Sequence, residues 1–217
     1  NHYAVDDKAE ITLQANPDDL SRENLEAPSK TGINRLSIGV QSFFESDLQL
    51  MNRAHNAQEA QQALVWAKDY FENLSLDLIY GIPKMSLQRW EENIDRALLL
   101  DIPHISSYAL TVEPKTALEN FIKTGKLRPV DDTLAKAHFE SLLSKFNAQG
   151  FVNYGFSNFG KPGFFSQNNL GYWLGKPYLG IGPGAHSYGK GQRSWNLAHN
   201  IKYIRALLQD TRPFEYE

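Results

Sequence analysis

Strand-like and helix-like segments alternate along the first half of the chain, and this alternation constrains the fold more than any other feature. Residues 35–40 read Arg-Leu-Ser-Ile-Gly-Val, in which apolar side chains recur at every second position, as in a strand. Similar runs occupy residues 9–15, 74–80 and 105–110, and residues 58–71 have the apolar spacing of an amphipathic helix. Because strands that alternate with helices usually join in parallel through right-handed crossovers, the sequence predicts an α/β fold with a parallel sheet.

Polar residues follow or interrupt these strands. Gln14 and Gln41 end the first two, Thr111 follows the fourth, and Asp77 lies within the third on the face opposite its leucine neighbours. The carboxyl ends of parallel strands converge, so these positions predict a ligand site at one edge of the sheet. Arg53 follows the second strand in a loop or short helix, where it can bind a carboxylate through two hydrogen bonds. Loop-capping amides, a solvated carboxylate and a surface arginine are the alternatives.

The second half of the chain has a different pattern. It predicts helices and a strand among glycine-rich loops: helices over residues 115–126, from residue 131 onward and over 200–209, and a strand over 151–156. We therefore divide the chain at this change of pattern, into residues 1–114 and residues 115–217, which the resemblance described below implies to be a partial barrel core and a remaining barrel or extension segment.

A glycine-rich stretch at residues 180–184, followed by His186, is the second distinctive segment. It is reminiscent of a phosphate loop but lacks the Gly-x-Gly-x-x-Gly and Walker spacings. Tight turning beside a ligand or a packed strand is the simpler interpretation. A lone histidine such as His186 is more often a hydrogen-bonding residue than a metal or haem ligand.

The composition argues against several classes of protein. The net charge of −3 gives no bulk attraction to nucleic acid, no apolar run reaches the roughly 18 residues needed to span a bilayer, and no signal peptide is visible. The chain contains no cysteine, so it can form neither a disulfide nor a thiolate metal site of its own, and the spacing of its 6 histidines predicts no metal site. We expect a cytoplasmic location.

Several of these segments resemble a known family. Four runs are similar to consecutive strand motifs of radical S-adenosylmethionine (SAM) proteins, in the branch of oxygen-independent coproporphyrinogen III oxidase and the HemW-type haem chaperones: residues 11–17, 34–43, 76–83 and 108–114. Residues 169–173 and 180–187 resemble the chaperone side of that branch. The resemblance implies a partial parallel (β/α) barrel of the radical SAM type, truncated at the N-terminus and followed by a loop-rich α+β extension.

The resemblance also implies a cofactor site. It implies that Gln41 and Asp77 bind polar groups of SAM, that Arg53 binds a charged end, and that Thr111 lies near the same site. The family usually carries a glutamate at the position of Gln14, which retains hydrogen bonding without the charge.

Other positions depart from the family pattern. Gly155 stands in place of a glutamate and Asn168 in place of a histidine. The three-cysteine loop that binds the family's [4Fe-4S] cluster and its Gly-Gly-Thr-Pro motif are missing from the sequence, as is the C-terminal winged-helix-like region. We therefore expect a fragment of a longer protein, without radical activity of its own, and assign no catalytic residue.

Three functional hypotheses follow. The first is a haem chaperone, which binds haem and passes it to an acceptor protein. The second is an oxidase that decarboxylates a porphyrinogen in haem biosynthesis. The third, which needs no resemblance, is an α/β-barrel enzyme that binds a phosphorylated ligand at the strand ends. In the first two, SAM and a [4Fe-4S] cluster are cofactors of the intact protein, and haem is a further ligand of the chaperone.

Overall fold

A computed structural model describes residues 4–216 of the chain. The chain folds as two compact units, residues 1–165 and residues 166–217, which we call the sheet unit and the C-terminal unit. The boundary expected after residue 114, between barrel core and extension, stays a prediction. Within residues 4–216, none of the helices combines the length and apolar character required to cross a membrane.

The sheet unit is built on a six-stranded sheet in the order β1-β2-β3-β4-β6-β5. Its first four strands are parallel and the last two pair antiparallel. The strands are β1 (Thr12–Ala15), β2 (Arg35–Gln41), β3 (Leu74–Tyr80), β4 (His104–Ala109), β5 (Val152–Gly155) and β6 (Asn158–Gly160). The predicted parallel sheet is confirmed, although β1 begins only at Thr12 rather than at residue 9.

Helices connect these strands. They are α1 (Arg22–Ser29), α2 (Glu45–Leu50), α3 (Ala57–Ala67), α4 (Leu87–Leu99), α5 (Ala117–Lys123) and α6 (Asp132–Ala148), and a 3₁₀ turn covers Pro17–Asp19. Side-chain caps fix where several helices begin. Asn56 and Glu59 form a capping box at α3, while Ser86 caps α4 and Asp131 caps α6. The predicted helix over 58–71 ends earlier, at Ala67.

The two faces of the parallel strands differ sharply. One face carries leucine, isoleucine and valine, packs against α3, α4 and α6, and forms the buried core: Leu36, Ile38, Val40, Leu74, Leu76, Leu78 and Ile105 with Leu64, Trp90, Ile94, Leu142 and Phe146. The opposite face, which we call the polar face, is lined by Gln14, Arg35, Ser37, Ser75, Asp77, His104 and Ser106. Parallel strands usually carry apolar residues on both faces, because both faces are normally covered. Buried polar residues on one face therefore indicate the side on which a ligand site lies.

The C-terminal unit contains a small antiparallel sheet, β7-β8-β9, flanked by two helices. Its elements are α7 (Gln167–Trp173), β7 (His186–Gly189), β8 (Gln192–Asn196), α8 (Asn200–Leu208) and β9 (Phe214–Tyr216). Only α8 was expected from the sequence.

Candidate ligand site at the strand ends

Asp77 lies at the centre of the polar face. It is 6% exposed and stands in register with Ser106 of β4. Burial raises the pKa of the Asp77 carboxyl to about 6, while hydrogen bonds from Ser106 and Ser37 and the positive charges of Arg35 and Arg53 act in the opposite direction. A buried carboxyl with positive charges nearby is suited to accepting hydrogen bonds from a ligand.

Gln41 ends β2 in an unusual backbone conformation. Its φ is 69°, and the ladder between β2 and β3 shifts register between Ile38 and Gln41. A non-glycine residue at positive φ is uncommon. This backbone conformation, together with the register shift, sets the direction in which the Gln41 side chain leaves the strand. That side chain folds back over Gly39, where a Cβ atom would lie 2.9 Å from the Gln41 Nε2 atom and 3.5 Å from the Asn16 Oδ1 atom. An alanine at this position would therefore displace the Gln41 amide from its present position.

A cavity of about 530 Å³ opens beside the ends of β3 and β4. Arg53 and Thr111 both line it, together with Ile79, which lies two residues after Asp77 on the same strand face. The remaining walls come from α2, the loop that follows it, the loop between β4 and α5, and α5 itself: Gln49, Leu50, Met51, Asn52, Leu110, Glu113, Thr116, Ala117, Leu118 and Phe121. The volume lies within the range of small-molecule and cofactor sites.

Buried hydrogen bonds fix the loop after Gln41. Asn93 of α4 is fully buried, and its Oδ1 atom accepts a hydrogen bond of 2.7 Å from the backbone N–H of Phe43. The Ser42 hydroxyl donates to Asp47 Oδ2 at 2.8 Å, and Asp47 is paired with Arg89 at 3.1 Å. Helix α4 therefore anchors both the turn at Gln41 and helix α2, which precedes Arg53.

A second buried polar cluster lies on the polar face near the amino ends of β2, β3 and β4. His104 Nδ1 is 2.6 Å from Ser75 Oγ and 3.3 Å from Arg35 Nη2, and His104 Nε2 is 2.6 Å from the Tyr154 hydroxyl. Burial, reinforced by the charge of Arg35, lowers the pKa of His104 to about 3, so the imidazole is neutral at physiological pH. The sequence interpretation overlooked Arg35, Ser75 and His104, although each alternates with apolar residues on its strand.

The structure brings three of the five predicted site residues together, namely Arg53, Thr111 and Asp77. Arg53 and Thr111 line one cavity, and the positive charge of Arg53 acts to lower the pKa of Asp77. Gln41 is buried at the end of the neighbouring strand. Gln14 is the outlier, because it is exposed on edge strand β1, where it stands in register with Ser37.

Of the departures from the family pattern, Gly155 ends β5 in the sheet unit, whereas Asn168 belongs to α7 of the C-terminal unit.

Comparison with known proteins identifies the family. Residues 2–97 match the radical SAM superfamily. The chain is 39% identical to the heme chaperone HemW of Bacillus subtilis over 96% of its own length, and 35% identical to the heme chaperone HemW of Mycobacterium tuberculosis over 98%. This chain belongs to the radical SAM superfamily. It spans about half the length of the curated relatives it matches, 55% of each of these two.

A solved structure has a similar fold. The radical SAM chain superposes on coproporphyrinogen III oxidase (HemN) of Escherichia coli with a TM-score of 0.81, covering 97% of this chain and 51% of that one at 21% identity. At this identity the likeness shows the fold alone. The family implies SAM and a [4Fe-4S] cluster in general, but no cysteine thiolate is available within these 217 residues to bind a cluster. The donor set of the strand ends, an amide, a carboxyl and a guanidinium, fits SAM instead.

Proposed function

We propose that this chain forms the SAM-binding and haem-binding part of a haem chaperone of the radical SAM superfamily. The observation that carries the proposal is the identity of 39% over nearly the whole chain to a relative named as a heme chaperone. The strand-end geometry supports the SAM part, because Arg53 and Thr111 line one cavity and the charge of Arg53 acts on Asp77.

Each strand-end residue has a defined part in SAM binding. Arg53 pairs with the carboxylate of the methionine moiety, since a guanidinium binds carboxylates through paired hydrogen bonds. Asp77 and Gln41 accept from and donate to the remaining polar groups, and Thr111 borders the same cavity. Gln14 contributes least, because it is exposed on the edge strand and uncharged.

Radical chemistry requires more than this chain supplies. Bound SAM supplies the radical chemistry of the family when a reduced cluster stands beside it. Thiolate ligands for a cluster must come from outside these 217 residues, because the chain contains no cysteine. We therefore propose that the chain by itself binds SAM without cleaving it.

An oxidase is the second candidate, because the chain shares its fold with coproporphyrinogen III oxidase at a TM-score of 0.81. The chaperone is preferred because named chaperones are 35–39% identical in sequence, against 21% for that oxidase. The phosphate-binding alternative has less support. Two backbone N–H groups that a phosphate would need in the glycine-rich loop already donate within the protein, that of Gly180 to Ser187 Oγ and that of Gly182 to the Tyr203 hydroxyl.

The SAM part is tested by calorimetric titration of SAM into the chain. We expect Arg53→Gln and Asp77→Asn each to weaken binding by about tenfold or more, because each removes a charge that faces the ligand. Arg22→Gln is the matched control, since Arg22 forms an exposed ion pair with Asp69. Equal SAM affinity in all three variants would rule out the strand-end site.

The haem part is tested by comparing two porphyrins. Haemin and iron-free coproporphyrin III are titrated into the chain and followed by absorbance. A chaperone is expected to bind haemin more tightly, whereas an oxidase is expected to prefer the porphyrin with four carboxylates. Preference for coproporphyrin III would replace the chaperone by the oxidase.

A further inference from the structure

The C-terminal unit has a cavity of its own, of about 930 Å³. Every residue that lines it belongs to this unit and lies between residues 168 and 193. The volume is at the upper end of the range of small-molecule sites and suits a large planar ligand. None of the residues proposed to bind SAM contributes to it.

Aromatic and aliphatic side chains form the walls of this cavity. The rings of Tyr172 and Tyr178 pack edge to face with centroids 4.6 Å apart, and the Tyr188 ring lies 6.1 Å from that of Tyr178. Leu179 and Ile181 line the same cavity although they are 67% and 84% exposed. A row of tyrosines with adjoining exposed aliphatic side chains is suited to stacking against a flat, apolar macrocycle.

His186 presents an imidazole to the cavity. It begins β7, where it pairs with Trp195 of β8, and the two rings lie 5.9 Å apart. The loop before it is fixed by Asn196, which is buried and donates to the carbonyl oxygens of Gly180 and Gly182. His186 is exposed, and among residues 4–216 no hydrogen bond engages its ring nitrogens, so these nitrogens are available to a metal.

The charged side chains that line the cavity are both positive. Lys176 and Arg193 line it, and no aspartate or glutamate is among its lining residues. Neither cation forms an ion pair within the described part of the chain. Haem carries two propionate carboxylates, for which an arginine and a lysine are suitable partners.

We propose that this cavity is the haem site of the chain, with His186 as the axial ligand of the iron. The macrocycle lies against Tyr172, Tyr178 and Tyr188, and the propionates pair with Lys176 and Arg193. Histidine is a common axial ligand of haem iron. This inference rests on the proposed function and goes further by naming the iron ligand and the residues that orient the porphyrin.

The first test is a haemin titration followed through the Soret band. We expect His186→Ala to weaken haemin binding about tenfold or more and to shift the Soret maximum, because the iron loses its protein ligand. His199→Asn is the matched control. His199 lies in the same unit outside the cavity lining and caps α8, a role that asparagine fulfils equally well. Circular dichroism verifies that each variant is folded.

Iron-free protoporphyrin IX separates the two parts of the site. We expect His186→Ala to bind it as tightly as the unsubstituted chain, whereas Lys176→Gln combined with Arg193→Gln weakens both porphyrins about tenfold. If His186→Ala keeps the wild-type Soret band and affinity, the assigned ligand is wrong while haem binding stands. If the unsubstituted chain does not bind haemin at all, the proposed function fails and this inference fails with it.

Discussion

The Nε2 atom of His104 lies 2.6 Å from the hydroxyl oxygen of Tyr154. On the other side of the ring, the Nδ1 atom faces the Arg35 guanidinium at 3.3 Å. A guanidinium can only donate, so Nδ1 is the acceptor and the single proton of the neutral ring is on Nε2. His104 therefore donates to Tyr154, which links β4 to β5 across the antiparallel end of the sheet.

Replacing Tyr154 with phenylalanine tests this link. The fully buried His104 would lose the acceptor of its Nε2–H, and a buried unsatisfied donor costs about 1–3 kcal/mol. We expect the free energy of unfolding of Tyr154→Phe to fall by that amount in urea titrations. Tyr70→Phe, at a half-buried tyrosine outside this cluster, is the control and is expected to change it by less than about 0.5 kcal/mol. Equal losses in both variants would contradict the assigned hydrogen bond.

His104 and Asp77 have opposite effects on the pH dependence of stability. The Asp77 pKa is raised from 3.8 to about 6, so its contribution is fully present below pH 3.8 and is lost as the pH rises through 6. The His104 pKa is lowered from 6.5 to about 3, so its contribution is present above pH 6.5 and is lost as the pH falls towards 3. Between about pH 4 and 6 the two slopes nearly cancel.

Asp77→Asn removes one of these opposing slopes. We expect the variant to gain stability with rising pH between 4 and 6.5, by up to about 1.4 kcal/mol per pH unit, and to be about 1–3 kcal/mol more stable than the wild type at pH 8. Urea unfolding at several pH values measures both effects. Asp69→Asn makes the same charge change in an exposed ion pair and is expected to leave the profile unaltered. A parallel profile for Asp77→Asn and the wild type would show that folding does not raise the pKa of Asp77.

Local sequence patterns predicted the parallel strands well, and with them the positions of Asp77 and Gln41. The reason is physical, since alternation with period two depends only on neighbouring residues and on which face is buried. The sequence pattern predicts a first strand that is too long, because it begins the strand at residue 9. Ile11 continues the alternation, but β1 begins only at Thr12, where pairing with Arg35 starts.

Non-local pairing explains what the sequence patterns missed. Tyr154 meets His104 only because β6 joins β4 and β5 in an antiparallel ladder, and nothing in either local segment specifies that partner. The positive φ of Gln41 is equally hidden, because asparagine or glycine would be the usual residue at such a turn. The small sheet of the C-terminal unit has strands of only 3–5 residues, too short to show a clear alternation.

Gly39→Ala tests whether the Gln41 side chain serves the ligand. The added Cβ would lie 2.9 Å from Gln41 Nε2, so the amide would have to move from its present position. We expect SAM affinity to fall about tenfold while the free energy of unfolding changes by about 1 kcal/mol. Gly32→Ala is the control, because its Cβ would make an ordinary 3.5 Å contact with Ile11. Unchanged SAM affinity in Gly39→Ala would remove Gln41 from the site.

Asn93→Ala tests how far the SAM site depends on helix α4. The alanine would leave the backbone N–H of Phe43 without the Asn93 Oδ1 atom that now accepts from it at 2.7 Å. We expect a loss of about 1–3 kcal/mol in the free energy of unfolding and weaker SAM binding, because the turn that orients Gln41 loses its anchor. Gln88→Ala, on the exposed side of the same helix, controls for helix propensity and is expected to leave both quantities unchanged. Loss of stability with full SAM affinity would show that the Phe43 turn supports the fold but not the position of Gln41, and the binding residues would then be limited to Asp77 and the cavity beside Arg53.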